Sequence, residues 1–271
     1  KRYVDHALQL HPGDQRRHIV QGIELRNRGW IDWAEQEYAA AAKMGAPTQT
    51  FTLIAQYQLG ESLHDRGDDR AAAKVLDEAT TGLEQAAAQN IDVSDAGRSL
   101  DTNRARAHFF HALHFKEQKD AKQMLQHLLE GLGDDQHDAE ILIELFNAPD
   151  LDVTVRDRVR KLIREAADIE RRRISDNPDD DTPYNQLAWL ISNTEGDFNE
   201  ALEASKKSLE LKPDSPGHLD TLGRCYYAVG DYENAVKHQR RAIELDPHSQ
   251  QMRRQLKLFE TALEKKKPTE K

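Results

Sequence analysis

Three histidines in one short run, His108, His111 and His114 of HFFHALH, have the types and spacing that come nearest to metal chelation. On a helix, residues i and i+3 share a face, so His108 with His111, or His111 with His114, could grip one ion, whereas the outer two stand about 120° apart. A zinc site wants three or four ligands, and spacing places no carboxylate or further cysteine beside these rings. They are therefore expected as core or groove histidines, with no metal and no cofactor. Cys225 is the single cysteine and can form neither an internal disulfide nor a cysteine-based zinc site. No base is implied beside it, so the thiol is expected to be partly buried and inert. The sequence has no G-x-S-x-G, P-loop, H-E-x-x-H, G-x-G-x-x-G or C-x-x-C motif, and the expected role is not enzymatic.

Charge supplies the next candidates. RDRVRKLIREAADIERRR, from Arg156 to Arg173, carries eight Lys/Arg and four Asp/Glu. It could form a patch for an acidic peptide or phosphate. The plainer reading is a long exposed helix laced with pairs in which Arg160 and Arg164 face Asp157 and Glu165. Lys265-Lys266-Lys267 reads as a solvated, frayed tail, and Asp176 to Asp181 as a connecting loop. Over the 271 residues, 38 Lys/Arg stand against 48 Asp/Glu for a net charge of −10, which argues against a general nucleic-acid binder. The longest apolar runs, such as Ile141 to Ile143, fall far short of the ~20 residues that span a bilayer.

The elements that must position these residues repeat along the chain. From Pro216 to Ser249, Leu219, Leu222, Gly223 and Tyr226 recur at helical spacing. Gly230-Asp231 breaks the pattern, Ala235, Ala242 and Ile243 resume it, and Pro247 ends it. This is two antiparallel helices joined by a tight turn, with Gly223 and Ala235 letting the backbones approach. The unit before it repeats the theme with Tyr184, Leu187, Ala188, Ile191, Ala201 and Leu209, plus one extra residue in its turn near Ser192 to Glu195. SLELKPDSPG and AIELDPHSQQ align without a gap. These residues resemble the tetratricopeptide repeat, whose pattern is W-x2-L-G-x2-Y, then A-x3-F, then A and P.

Extended along the chain, the resemblance divides it. Residues 1–14 hold a partial repeat, a second helix over Tyr3 to Leu10 whose partner is missing, which implies upstream repeats or an unusual cap. Residues 15–88 hold two units, marked by Gly22, Leu25, Gly29, Ala34 and Tyr38, then by Leu59-Gly60, Gly67-Asp68, Ala72 and Leu76. Residues 89–100 are an inter-repeat loop. Residues 101–180 hold two divergent helix pairs, the first without glycine markers. Residues 181–249 hold the two clear units, and 250–271 a capping helix and tail with Met252, Leu256, Phe259 and Leu263 inward.

The resemblance implies an all-α, right-handed α-solenoid of stacked antiparallel helix pairs with a C-terminal capping helix, its first helices lining a concave groove. In relatives that clamp a peptide carboxylate, Lys and Asn occupy the fifth and ninth first-helix positions. Here those positions hold Ile19/Ile23, Tyr57/Glu61, Phe109/Leu113, Asn185/Trp189 and Asp220/Arg224, so no such clamp is expected. The groove is instead expected to offer Tyr57, Phe109, Phe110, Asn185, Gln186, Trp189, Asp220, Arg224 and Tyr227 to an extended segment of a protein or peptide partner. An alternative is a targeting or regulatory region of a larger enzyme whose catalytic domain lies outside this chain. Self-association through the N-terminal helix, by way of Val4 and Leu8, is a third possibility. Partner and compartment stay open.

Overall fold

The protein is described by a computed structural model covering residues 13–149 and 151–266. Among these residues every regular element is helical, as expected for the all-α fold. The chain forms two compact units, one ending at Asp135 and one beginning at Gln136. The expected half-repeat at Tyr3 to Leu10, with Val4 and Leu8, lies outside the described residues, as does Lys267.

The first unit contains α1 (Gln15–Asn27), α2 (Ile31–Met44), α3 (Thr50–Asp65), α4 (Asp69–Ala88), a 3-10 turn (Ser94–Ala96), α5 (Leu100–Glu117) and α6 (Ala121–Asp134). The second contains α7 (Ala139–Asn147), α8 (Val153–Asp176), α9 (Asp181–Asn193), α10 (Phe198–Leu211), α11 (Pro216–Ala228), α12 (Tyr232–Leu245) and α13 (Gln250–Lys266). Within each unit successive helices pack on one another. In the second, α7, α9, α11 and α13 also touch in sequence, so the first helices of the pairs form a layer.

One turn design joins most pairs. The amides of Trp30, Asp68, Asp120 and Asp231 donate to the carbonyls of Leu25, Leu63, Phe115 and Tyr226, five residues back. This Schellman closure needs a left-handed residue just before the donor. Gly29, Gly67 and Gly230 supply it, with φ of 74°, 87° and 78°. In the third pair Lys119 adopts φ 61° with no glycine, which explains why that pair has no glycine marker in the sequence. Asp68, Asp120 and Asp231 then cap the second helices, accepting from the amides of Ala71, Gln123 and Asn234 at 3.1–3.2 Å. Between α9 and α10 the connection runs from Thr194 to Asp197, one residue longer than Val229 to Asp231 between α11 and α12, where the sequence spacing put the extra residue.

Small residues set the helix separations. A Cβ at Gly223 would lie 3.2 Å from the Ala235 carbonyl oxygen and 2.9 Å from Gln239 Oε1, so glycine permits the close approach of α11 and α12. One at Gly22 would collide with the ring of Tyr38, which is fully buried between α1 and α2. The C-terminal α13 closes the second unit by burying Met252 beside Leu219 and Ala242, and Phe259 beside Ala235 and Val236. Lys265 and Lys266 belong to this helix and not to a frayed tail, since Lys266 Nζ donates to the Gly230 carbonyl at 2.8 Å.

Candidate docking surface

Asn185, Gln186 and Trp189 project from α9, and Asp220, Arg224 and Tyr227 from α11, the two helices at the middle of the first-helix layer. Several of these side chains stitch that layer together. Trp189 Nε1 donates to Glu140 Oε1 of α7 at 3.1 Å. Arg224 Nε donates to the Ser192 carbonyl of α9 at 3.1 Å, and its guanidinium lies 5.0 Å from the centre of the Tyr227 ring. Tyr227 stacks on Phe259 of α13 with centroids 4.8 Å apart.

Asp220 is a correction to the expected groove. It is buried, accepts from Gln239 Nε2 of α12, and accepts from Gln255 Nε2 of α13 at 2.8 Å. Its carboxylate therefore joins three helices and is not offered to a partner. Burial pushes this carboxyl up to about 6, against the lowering effects of the two glutamine bonds and Arg224. Gln186 is exposed, while Asn185, Trp189, Arg224 and Tyr227 are half-buried. The Asn185 Oδ1 atom is buried and has no hydrogen-bond partner.

In the first unit, Tyr57, Phe109 and Phe110 are also corrections, because all three are buried. Phe110 stacks on the His64 ring at 4.6 Å, and His64 is itself tied to Asp69 through Nδ1 at 2.5 Å. Arg98 lies 5.2 Å from the centre of the Tyr57 ring, and Arg106 lies 5.1 and 4.7 Å from those of Phe109 and Phe110. Both arginines converge on Glu61, Arg98 through Nη2 at 2.6 Å and Arg106 through Nε and Nη2 at 3.0 and 2.7 Å. Burial alone would raise the Glu61 carboxyl, but Arg106 and Arg98 together pull it down to about 2. The segment read as a plain loop thus contains a 3-10 turn and delivers Arg98 onto the face of α3. Nothing in the local pattern of 89–100 announces that contact. Arg106 had a weak signal, its spacing of three and four residues from Phe109 and Phe110 on one helix.

Other candidates fall into place. Cys225 is fully buried, more so than expected, with Sγ directed at the carbonyls of Ala201 and Ala188 at 3.5 and 3.8 Å. Burial pushes its thiol up to about 12, so the thiolate nucleophile is scarce at neutral pH. On the basic helix, Arg160 and Arg164 pair with Glu195 beyond α9 at 3.2 and 3.3 Å, and not with Asp157 and Glu165. Arg171 forms a fork with Glu200 of α10, both bonds at 2.7 Å. Much of this positive charge is spent within the stack. The three histidines of α5, expected in the core or the groove, are all half-buried: His108, His111 and His114. No helix among the described residues is long and apolar enough to cross a membrane.

Models of the tetratricopeptide repeat family match residues 182–215 and 219–249. No curated protein matches the chain. Among solved structures it is similar to a thermophilic tetratricopeptide protein of Thermus thermophilus, 16% identical over 92% of this chain and 99% of that one, with a TM-score of 0.43. It is also similar to the TPR2AB domain of yeast Sti1 in complex with pHSP90, 17% identical over 92% of this chain and 98% of that one, with a TM-score of 0.36. The matched repeats support a role in protein interaction.

Proposed function

We propose that this tetratricopeptide-repeat protein is a non-enzymatic interaction scaffold whose second unit holds an extended segment of another protein along the layer of α7, α9, α11 and α13. The observation that carries the reading is on α9. Asn185 is half-buried next to the exposed Gln186, one turn before the half-buried Trp189. A side-chain amide both donates and accepts, so the half-buried Asn185 can hydrogen-bond the backbone of an incoming strand of peptide. Gln186 offers further donors and an acceptor for the same backbone. The indole of Trp189, fixed at its nitrogen by Glu140, adds a pre-ordered aromatic surface of the kind that dominates binding energy at interfaces.

Backbone recognition by amides is tolerant of sequence, so the neighbouring surfaces of Trp189, Arg224 and Tyr227 set which side chains the partner presents. The test is to select a displayed linear-peptide library on the intact chain and measure the affinity of the recovered peptide by fluorescence anisotropy. An Asn185→Ala, Trp189→Ala double variant should bind at least about tenfold more weakly, the loss of one hot-spot contact, with unchanged helicity. Equal affinity for the double variant would remove this surface from the binding site.

A further inference from the structure

The helix pair α5/α6 of the first unit brings together side chains that the linear spacing of histidines did not. His108 of α5 and His127 of α6 face each other with their Nδ1 atoms 3.0 Å apart. Glu130, one turn beyond His127, places Oε2 3.5 Å from His108 Nδ1 and 3.7 Å from His127 Nδ1. All three donor atoms lie within 4.8 Å of one another. Ligands held 2.0–2.2 Å from a tetrahedral ion stand about 3.3–3.6 Å from each other, so this triangle is close to the face of such a site, with only the hydrogen-bonded histidine pair having to open by a few tenths of an ångström. We propose that His108, His127 and Glu130 form a site for a divalent transition-metal ion of the zinc class, with the fourth position open to solvent or to a ligand from a partner.

The surroundings are those of a built site. The other nitrogen of His108, Nε2, faces the Asp134 carboxylate at 3.8 Å, beyond hydrogen-bond distance but on the side where a carboxylate can orient a metal-bound imidazole once the ring shifts. Glu130 keeps Oε2 toward the histidines while Oε1 accepts from Gln126 Nε2 at 3.0 Å. The His127 ring lies nearly parallel to two rings of α5, His111 at 4.8 Å and Phe115 at 5.5 Å. His111 is anchored in turn by Asp77 at 2.9 Å. His114, the third histidine of the run, is outside the cluster and bonds Gln118 at 3.0 Å. Two nitrogens and one oxygen suit zinc and its first-row neighbours, and not calcium or magnesium, which prefer oxygen alone.

The test is calorimetric titration of the full chain, stripped with chelator, with zinc chloride near neutral pH, alongside the visible spectrum after loading with cobalt(II). The expected result is one ion per chain with micromolar affinity, a tetrahedral cobalt spectrum and a raised unfolding temperature with zinc. His127→Ala and Glu130→Gln should abolish binding, and Gln126→Ala should weaken it about tenfold, while His114→Ala leaves it unchanged. The Glu130 side chain is 44% exposed, so its variant tests the site without endangering the fold. Zinc binding no tighter than millimolar, or undiminished binding by Glu130→Gln, would overturn the proposal.

Discussion

Asp220 is a polar group recruited to hold helices together at a place where the groove reading had put it in contact with a partner. Its position on the first-helix face was legible from the repeat register. Its burial was not, because that depends on Gln239 and Gln255 arriving from two other helices. The raised carboxyl carries a sign that can be measured. A group that binds its proton more tightly folded than unfolded contributes stability that is complete below its ordinary value of 3.8 and lost as the pH rises through about 6. Denaturant unfolding of the wild type and of Asp220→Asn should therefore diverge across that window, the wild type losing stability relative to the variant as the pH rises. Parallel profiles would show that Asp220 titrates alike in both states. Glu61 was legible in the same incomplete way: its helical position is correct, but its fate is set by Arg98, delivered by a segment with no periodicity. His127 carries no signal in the linear sequence because it meets His108 only across a helix pair.

Local signals were strongest where short-range geometry decides the outcome. Gly-Asp at a pair turn specifies a left-handed residue followed by an N-cap, so the turns at Gly67-Asp68 and Gly230-Asp231 could be read directly. Lys119-Asp120 keeps the cap and loses the glycine, placing a lysine at φ 61°. A side chain there costs about 1–2 kcal/mol, partly offset in glycine by its greater freedom when unfolded. Lys119→Gly should accordingly stabilise the protein by about 0.5–1 kcal/mol, seen as a higher midpoint of urea unfolding with an unchanged slope. A lower midpoint would mean that the lysine side chain makes a contact worth more than the strain. The ion pairs of α8 show the limit of such reading. Spacing within one helix suggested Asp157 and Glu165 as partners for Arg160 and Arg164, whereas packing against the next pair brings Glu195 instead.

For the molecule as a whole, 38% hydrophobic and 32% charged residues suit stacks of helix pairs, in which each pair buries its apolar stripe only against its neighbours. That thinness leaves long polar faces and explains why so many arginines and carboxylates serve as links between helices. It also narrows the binding account. With Tyr57, Phe109, Phe110 and Asp220 buried, the proposed surface rests on α9 and α11 of the second unit, around the exposed Gln186 and the half-buried Asn185 and Trp189. The most direct measurement is site-specific photo-crosslinking in the full chain. A photoreactive residue is placed at Gln186 on the first-helix layer or at Lys206 on α10, with the selected peptide bound. The account predicts an adduct from position 186 and none from 206; an adduct from 206 with none from 186 would contradict it.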